Sequence, residues 1–221
     1  MFPKMKSGAN NIKYTVSGST ITLDQKQESS GSTSTIFVSG GYTPQNFQSF
    51  VPTMSGSIGK IALYWGISAP APGTEPTGKI TYIVYDDDNG KHGNVVGSSF
   101  QYNLSDFSAS GGWKDIDLQQ KAFVSKGKRY WITAEIFNLV GSDATHYVYF
   151  GYSPSPTSYL NGKCIARKIW SDDFTDGVAD STQGGLVRAG QYDLGFRIYM
   201  GYGGSPTFNI SAQSKYTKKY L

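Results

Sequence analysis

Three consecutive carboxylates, Asp86, Asp87 and Asp88, followed by Asn89, Gly90 and His92, form the densest set of reactive groups in the chain, within "IVYDDDNGKHGNVVGSS" (83–99). An EF-hand calcium loop needs ligands at positions 1, 3 and 5, glycine at 6 and a bidentate glutamate at 12. Counting from Asp86 puts Gly90 at position 5 and Gly97 at 12, and counting from Asp87 puts His92 at 6 and Ser98 at 12. Neither frame works. The residue types suit a turn instead, with Asp88, Asn89 and Gly90 at its tip and short polar side chains bonding the backbone. The remaining chemistry open to Asp86, Asp87 and Asp88 is a structural calcium completed by carbonyls from another loop.

A second acidic cluster lies in "WSDDFTDGVAD", where Asp172, Asp173, Asp176 and Asp180 crowd one loop. Glycoside hydrolysis needs two carboxylates at a set separation across a cleft. Spacing along a chain supplies no such distance, so Asp172 and Asp173 read as a solvated loop or a second calcium site. A hydrolytic triad needs a histidine with a carboxylate orienter and a nucleophile. His92 falls in the turn, His146 opens the run "THYVYF", and no G-x-S-x-G elbow occurs. The one cysteine, Cys164, excludes an intramolecular disulfide and reads as a small buried residue. "GKHGNV" lacks the Gly-Lys-Ser/Thr ending of a phosphate loop. The expectation is a protein without catalytic residues.

Aromatic side chains offer a different chemistry. Sandwich domains hold glycans by stacking sugar rings on exposed aromatics, with polar side chains supplying hydrogen bonds. Trp65, Tyr149, Tyr152, Tyr159 and Trp170, near expected strand ends or loops, are the candidate ligand-binding residues.

The elements that must position these groups are strands. Period-two alternation rich in Tyr, Ile, Val, Thr and Phe recurs between glycine and proline punctuation, while helical periodicity is nearly absent. "IKYTVSG" and "STITLDQ" read as a hairpin, and residues 1–33 as an N-terminal arm. Residues 34–202 hold the candidate strands, among them "SIGKIALYWGIS", "GKITYIVYD", "GGWKDIDLQQ" and "KRYWITAEIF". The last two, joined through "SKGK" with Gly127 in the turn, read as a hairpin. The prolines of "APAPGTEPTG" mark a surface loop, and 203–221 is a polar, basic tail. The expected fold is all-β, a jelly-roll-like antiparallel sandwich of two sheets.

Composition narrows the partners. With 221 residues the chain can bury roughly 70% of its unfolded surface without staples. Charged residues are only 16% of it and the net charge is +4, with no basic stripe of the kind nucleic acid requires. No run approaches 18 apolar residues, so no membrane insertion is expected. The N-terminal "MFPKMKSGANNIKY" lacks the apolar core of a signal peptide.

Four segments in this order, "FQSFVPTMSGSIGKIALYWGI", "GKITYIVYDDDNGKHGNVVGSS", "GGWKDIDLQQKAFVSKGKRYWITAEI" and "YDLGFRIYMGY", resemble the choice-of-anchor type of jelly-roll domain found in microbial surface proteins. The resemblance spans about residues 45–200. It departs at Gly90-Lys91-His92-Gly93, where the family has Gly-x-Pro-Gly, and in the absent secretion signal. A surface-type domain without that signal implies a virion component that assembles in the host cytoplasm. The resemblance therefore implies a non-enzymatic virion structural protein, a capsid decoration or tail-associated subunit, homo-oligomeric and adhering to other virion or surface proteins. The alternative is an extracellular or cell-surface carbohydrate-binding module, with no cofactor beyond a structural calcium.

Overall fold

A computed structural model describes residues 21–28, 32–36, 45–143, 145–153, 159, 161–167, 174–176, 178–179, 187–188 and 193–201. Its strands are β1 (Ile21–Gln27), β2 (Ser32–Ile36), β3 (Gln45–Phe50), β4 (Gly56–Ser68), β5 (Thr77–Asp88) and β6 (Lys91–Ser99). Next come β7 (Tyr102–Asn103), β8 (Gly112–Gln120), β9 (Phe123–Val124), β10 (Tyr130–Val140), β11 (Tyr147–Ser153) and β12 (Cys164–Arg167). The last are β13 (Phe174–Asp176), β14 (Val178–Ala179), β15 (Val187–Arg188), β16 (Asp193–Leu194) and β17 (Phe196–Gly201). One 3-10 turn, Leu104–Asp106, interrupts them. Among the described residues no helix is long and apolar enough to cross a membrane.

The all-β antiparallel sandwich expected from the alternation is the observed fold. β4 is the spine of one layer, flanked on one side by β8 and on the other by β17 and β11, with β1 beyond β17. The second layer runs β6-β5-β10-β3-β12-β13. β8 joins the layers, because its first residues pair with β4 and its last with β6.

Alternation decides what each strand buries. Leu63, Trp65 and Ile67 of β4 face Ile80, Tyr82 and Val84 of β5 and Ile132 of β10 in one core. A hydrogen bond crosses it: the Trp65 indole N–H donates to the Tyr82 hydroxyl at 2.7 Å, which donates to the Lys114 carbonyl at 3.1 Å. The opposite row of the β5 layer is also buried, since Phe47, Ile83, Tyr85, Trp131 and Ile165 form a second, smaller cluster. That explains why β5 and β10 read as nearly continuous apolar runs.

Residues 21–27, within the expected N-terminal arm or hairpin, pair along β17 as a strand of the first layer. One expectation is corrected: the segments now β8 and β10 do not form a hairpin, as β10 pairs with β3 and β5. Gly127 does take positive φ (77°) in its turn, but the intervening Ala122 and Val124 are buried and β9 pairs with β4. Burying them carries the chain from one layer to the other. The 203–221 tail lies outside the described residues.

At one edge a buried polar spine ties the layers together. Gln48 donates to Asp193 at 2.9 Å and accepts from the Leu194 N–H at 2.8 Å, while the Tyr159 hydroxyl donates to Gln25 at 2.6 Å. Burial, opposed by the Val51 amide, pushes the Tyr159 hydroxyl up to about 12. Tyr82 is raised further by burial, and Tyr85 by burial and its bond to Glu135. An unfolded tyrosine ionises near 10, so above that pH the unfolded chain loses phenolic protons first. The stabilisation the neutral Tyr159 phenol brings is complete below about pH 10 and is lost as pH rises through about 12, with that of Tyr82 and Tyr85 lost only above it. Urea midpoints should therefore fall over that window, with tyrosinate absorbance lagging that of the urea-unfolded chain. A flat midpoint would refute the assignment.

Candidate functional site

The aspartate cluster is a hairpin tip. Asn89 (φ 52°) and Gly90 (φ 85°) both lie in the left-handed region between the paired residues Asp88 and Lys91, the geometry of a two-residue I′ turn. Each carboxylate is engaged by the protein: Asp86 accepts from the Asn94 N–H, Asp87 from the Trp131 indole at 2.7 Å and the Gly90 N–H at 3.3 Å, and Asp88 from the Asn89 amide at 2.9 Å. Among the described residues no three His, Cys, Asp or Glu side chains group to hold a metal ion. Asp86, Asp87 and Asp88 thus serve as hairpin caps. Asp172 and Asp173 lie outside the described residues.

Trp131 is fully buried, so its indole N–H depends on Asp87. Asp87→Ala should lower the unfolding free energy by about 1–3 kcal/mol through an unsatisfied buried donor. The loss should be equal in calcium and in chelator, as measured by urea unfolding. A loss seen only in calcium would favour a structural calcium held by these carboxylates.

The two histidines sit in different settings. His92 stacks on Phe47 with ring centres 4.2 Å apart, and His146 lies 3.0 Å from Asp143 in an exposed turn, its Nδ1 also 2.9 Å from the Thr145 hydroxyl. Cys164 is buried.

The aromatic candidates separate by burial. Trp65 is completely buried and Tyr159 nearly so; both are core residues, and neither offers a face to a ligand. Tyr152 is half-buried and packs against the main core. Trp170 lies outside the described residues. Tyr149 is different: it projects from β11 on the outer face of the first layer and is half-buried.

Register shows what joins it there. Residues directly opposed in an antiparallel pair share a face. Gly66 opposes Tyr149, Tyr64 opposes Trp113, and Ala62 opposes Arg197, all alternating with inward Leu63 and Trp65. The Tyr149 ring occupies space that glycine leaves open: a Cβ on Gly66 would fall 2.7 Å from its Cζ. The phenol tip of Tyr149 therefore seats in the space left by Gly66 and Gly111, as aromatic residues cover glycines in strands. Tyr147 stands 6.4 Å away at 69°. Trp113 packs edge-on against Tyr64 at 5.6 Å and carries the Arg197 guanidinium 3.9 Å above its ring. Glu28 holds that guanidinium at 2.9 Å, while Lys60 pairs with Asp115 at 3.5 Å beside them. Burial and the neighbouring Tyr64 raise the Tyr149 hydroxyl against the Gly111 amide.

Tyr64, Trp113, Tyr147 and Arg197 were not among the residues singled out from sequence. Their outward position beside buried neighbours in an alternating run was the available signal. Flat rings fringed by an arginine, a lysine and a carboxylate can stack on and hydrogen-bond to a ligand, and the described residues of this face present no nucleophile with a base. No protein-family model matches the chain, and no curated protein matches it at a significant level.

Proposed function

We propose that the protein is a non-enzymatic adhesion module that holds a glycan on the outer face of its β4 layer, the sugar ring stacking on Tyr149 and the charged fringe of Arg197, Lys60 and Asp115 bonding its hydroxyls. The observation that carries this reading is the half-buried Tyr149, its phenol tip seated over Gly66, on the same sheet face as Tyr64, Trp113 and Arg197. A neutral aromatic surface bordered by both signs of charge suits a polyhydroxylated ligand better than an ionic one. On a glycan array the intact protein should retain at least one glycan. Tyr149→Ala should weaken that retention at least tenfold, whereas Tyr149→Phe should keep most of it. Retention unchanged in Tyr149→Ala would exclude this face.

A second reading, assembly as a virion structural subunit, has its own support. Among the described residues β1 ends the first layer, and on it Ile21 and Leu23 are exposed. An open edge with apolar side chains is a surface on which another chain can add. Native mass spectrometry tests it: defined oligomers that dissociate in Leu23→Lys favour assembly, and a monomer at all concentrations argues against it.

A further inference from the structure

A cavity of about 610 Å³ opens at the end of the sandwich where β4 finishes and β5 begins. This volume falls within the range of small-molecule sites, which are concave, apolar-floored and ringed by a few polar groups. Ile67, Phe107 and Ala109 are among its apolar lining, and Thr77, Ser105 and Asn138 are among its polar lining. Ile67 and Gly66 are successive residues of one strand and point to opposite faces. The cavity is therefore separate from the Tyr149 surface.

Its walls are fixed in place. Opposite Gly78, β10 carries an extra residue, so the register moves from Phe137–Lys79 to Val140–Thr77. Within this bulge Asn138 adopts φ 52°, and bulges of this kind re-aim a side chain. A Cβ on Gly78 would sit 3.1 Å from the Phe137 carbonyl, tighter than most such contacts, which favours glycine here. The loop before β5 is braced by the Gly73 N–H donating to Glu75 at 2.8 Å and the Thr74 hydroxyl donating to the Ala71 carbonyl at 2.6 Å. The loop bearing Ser105 and Phe107 is tied down by Lys114, whose Nζ donates to the Ser108 and Ser110 carbonyls at 2.8 and 2.9 Å.

We propose that this cavity is a saccharide pocket, taking one or two sugar units with the ring's C–H face on Phe107 and its hydroxyls among Asn138, Ser105 and Thr77. The lining chemistry selects the ligand class. Hydroxyls and carboxamides both donate and accept, which matches a ligand whose own hydroxyls do the same. The single carboxylate, Glu75, is balanced by the single ammonium, Lys79, so neither an anion nor a cation is favoured. This pocket does not depend on the sheet-face reading, as no residue of it belongs to that surface.

The test is titration of the 15N-labelled protein with a panel of free disaccharides built from glucose, galactose, mannose and N-acetylglucosamine. At least one should shift the Asn138 and Ser105 amide resonances saturably. Asn138→Gly tolerates the positive φ and removes the side chain with its carboxamide; it should keep the spectrum of the folded protein and weaken that sugar at least tenfold. Tyr149→Ala should leave these shifts unchanged. Silence of both resonances across the panel overturns the proposal, as does binding that survives Asn138→Gly and Ser105→Ala together. Shifts abolished by Tyr149→Ala would assign the sugar to the sheet face and also overturn it.

Discussion

Trp65→Ala should cost about 3–5 kcal/mol of unfolding free energy, the range for removing a large aromatic side chain from a packed core. The residue is completely buried and faces the opposite layer. It also carries the indole N–H that donates to Tyr82 across the core, and Phe107 and Phe150 pack against its ring with centres 5.2 and 6.5 Å away. Truncation thus leaves a cavity and removes a cross-layer bond together. Tyr82→Phe separates the two effects: it keeps the packing, leaves the indole N–H unsatisfied and should cost about 1–3 kcal/mol. The double variant should cost less than the sum, since each partner's loss already strands the other. Urea unfolding with an unchanged slope is the measurement. A Trp65→Ala loss under about 1 kcal/mol would show that this side chain is not the centre of the core.

Gly66→Ala should abolish glycan retention while leaving every aromatic and charged side chain of the binding face in the sequence. The added Cβ would meet Tyr149 Cζ at 2.7 Å and the Gly111 backbone at 2.8 Å, both closer than van der Waals contact permits. The ring must lift from the sheet or the β4–β11 pairing must widen, at about 1–3 kcal/mol for overpacking. Combining Gly66→Ala with Tyr149→Ala should recover part of that stability, because the ring is the larger obstacle, yet recover none of the binding. Array retention and urea midpoints on the same preparations check both halves. Full retention by Gly66→Ala would mean that the seating of Tyr149 over Gly66 has no part in recognition.

The hairpin tip was readable before any coordinates because turn chemistry is local. Asp88-Asn89-Gly90 between two alternating runs demands a tight turn, and only the positive φ of Asn89 added to that picture. The strand segments were readable for the same reason, as each candidate run after residue 45 contains a strand. Trp65 shows where that kind of reading stops. Its position near a strand end suggested exposure, yet it sits on the inward row of β4, and which row faces inward depends on the opposing layer. The pair β8 and β10 shows the same limit, because their connecting turn was correctly placed while their partners lie in different layers.

Local periodicity and turn residues, which need only near neighbours along the chain, were enough to establish an all-β protein, its strand segments, its hairpin tip and its lack of a metal-loop or hydrolase motif. The tertiary structure alone decided which outward side chains meet. Tyr64, Trp113, Tyr149 and Arg197 come from four different strands, and they share one surface because backbone pairing brings β8, β11 and β17 alongside β4. Pairing of distant strands is set by the global burial of apolar faces, so no stretch of the chain carries it by itself.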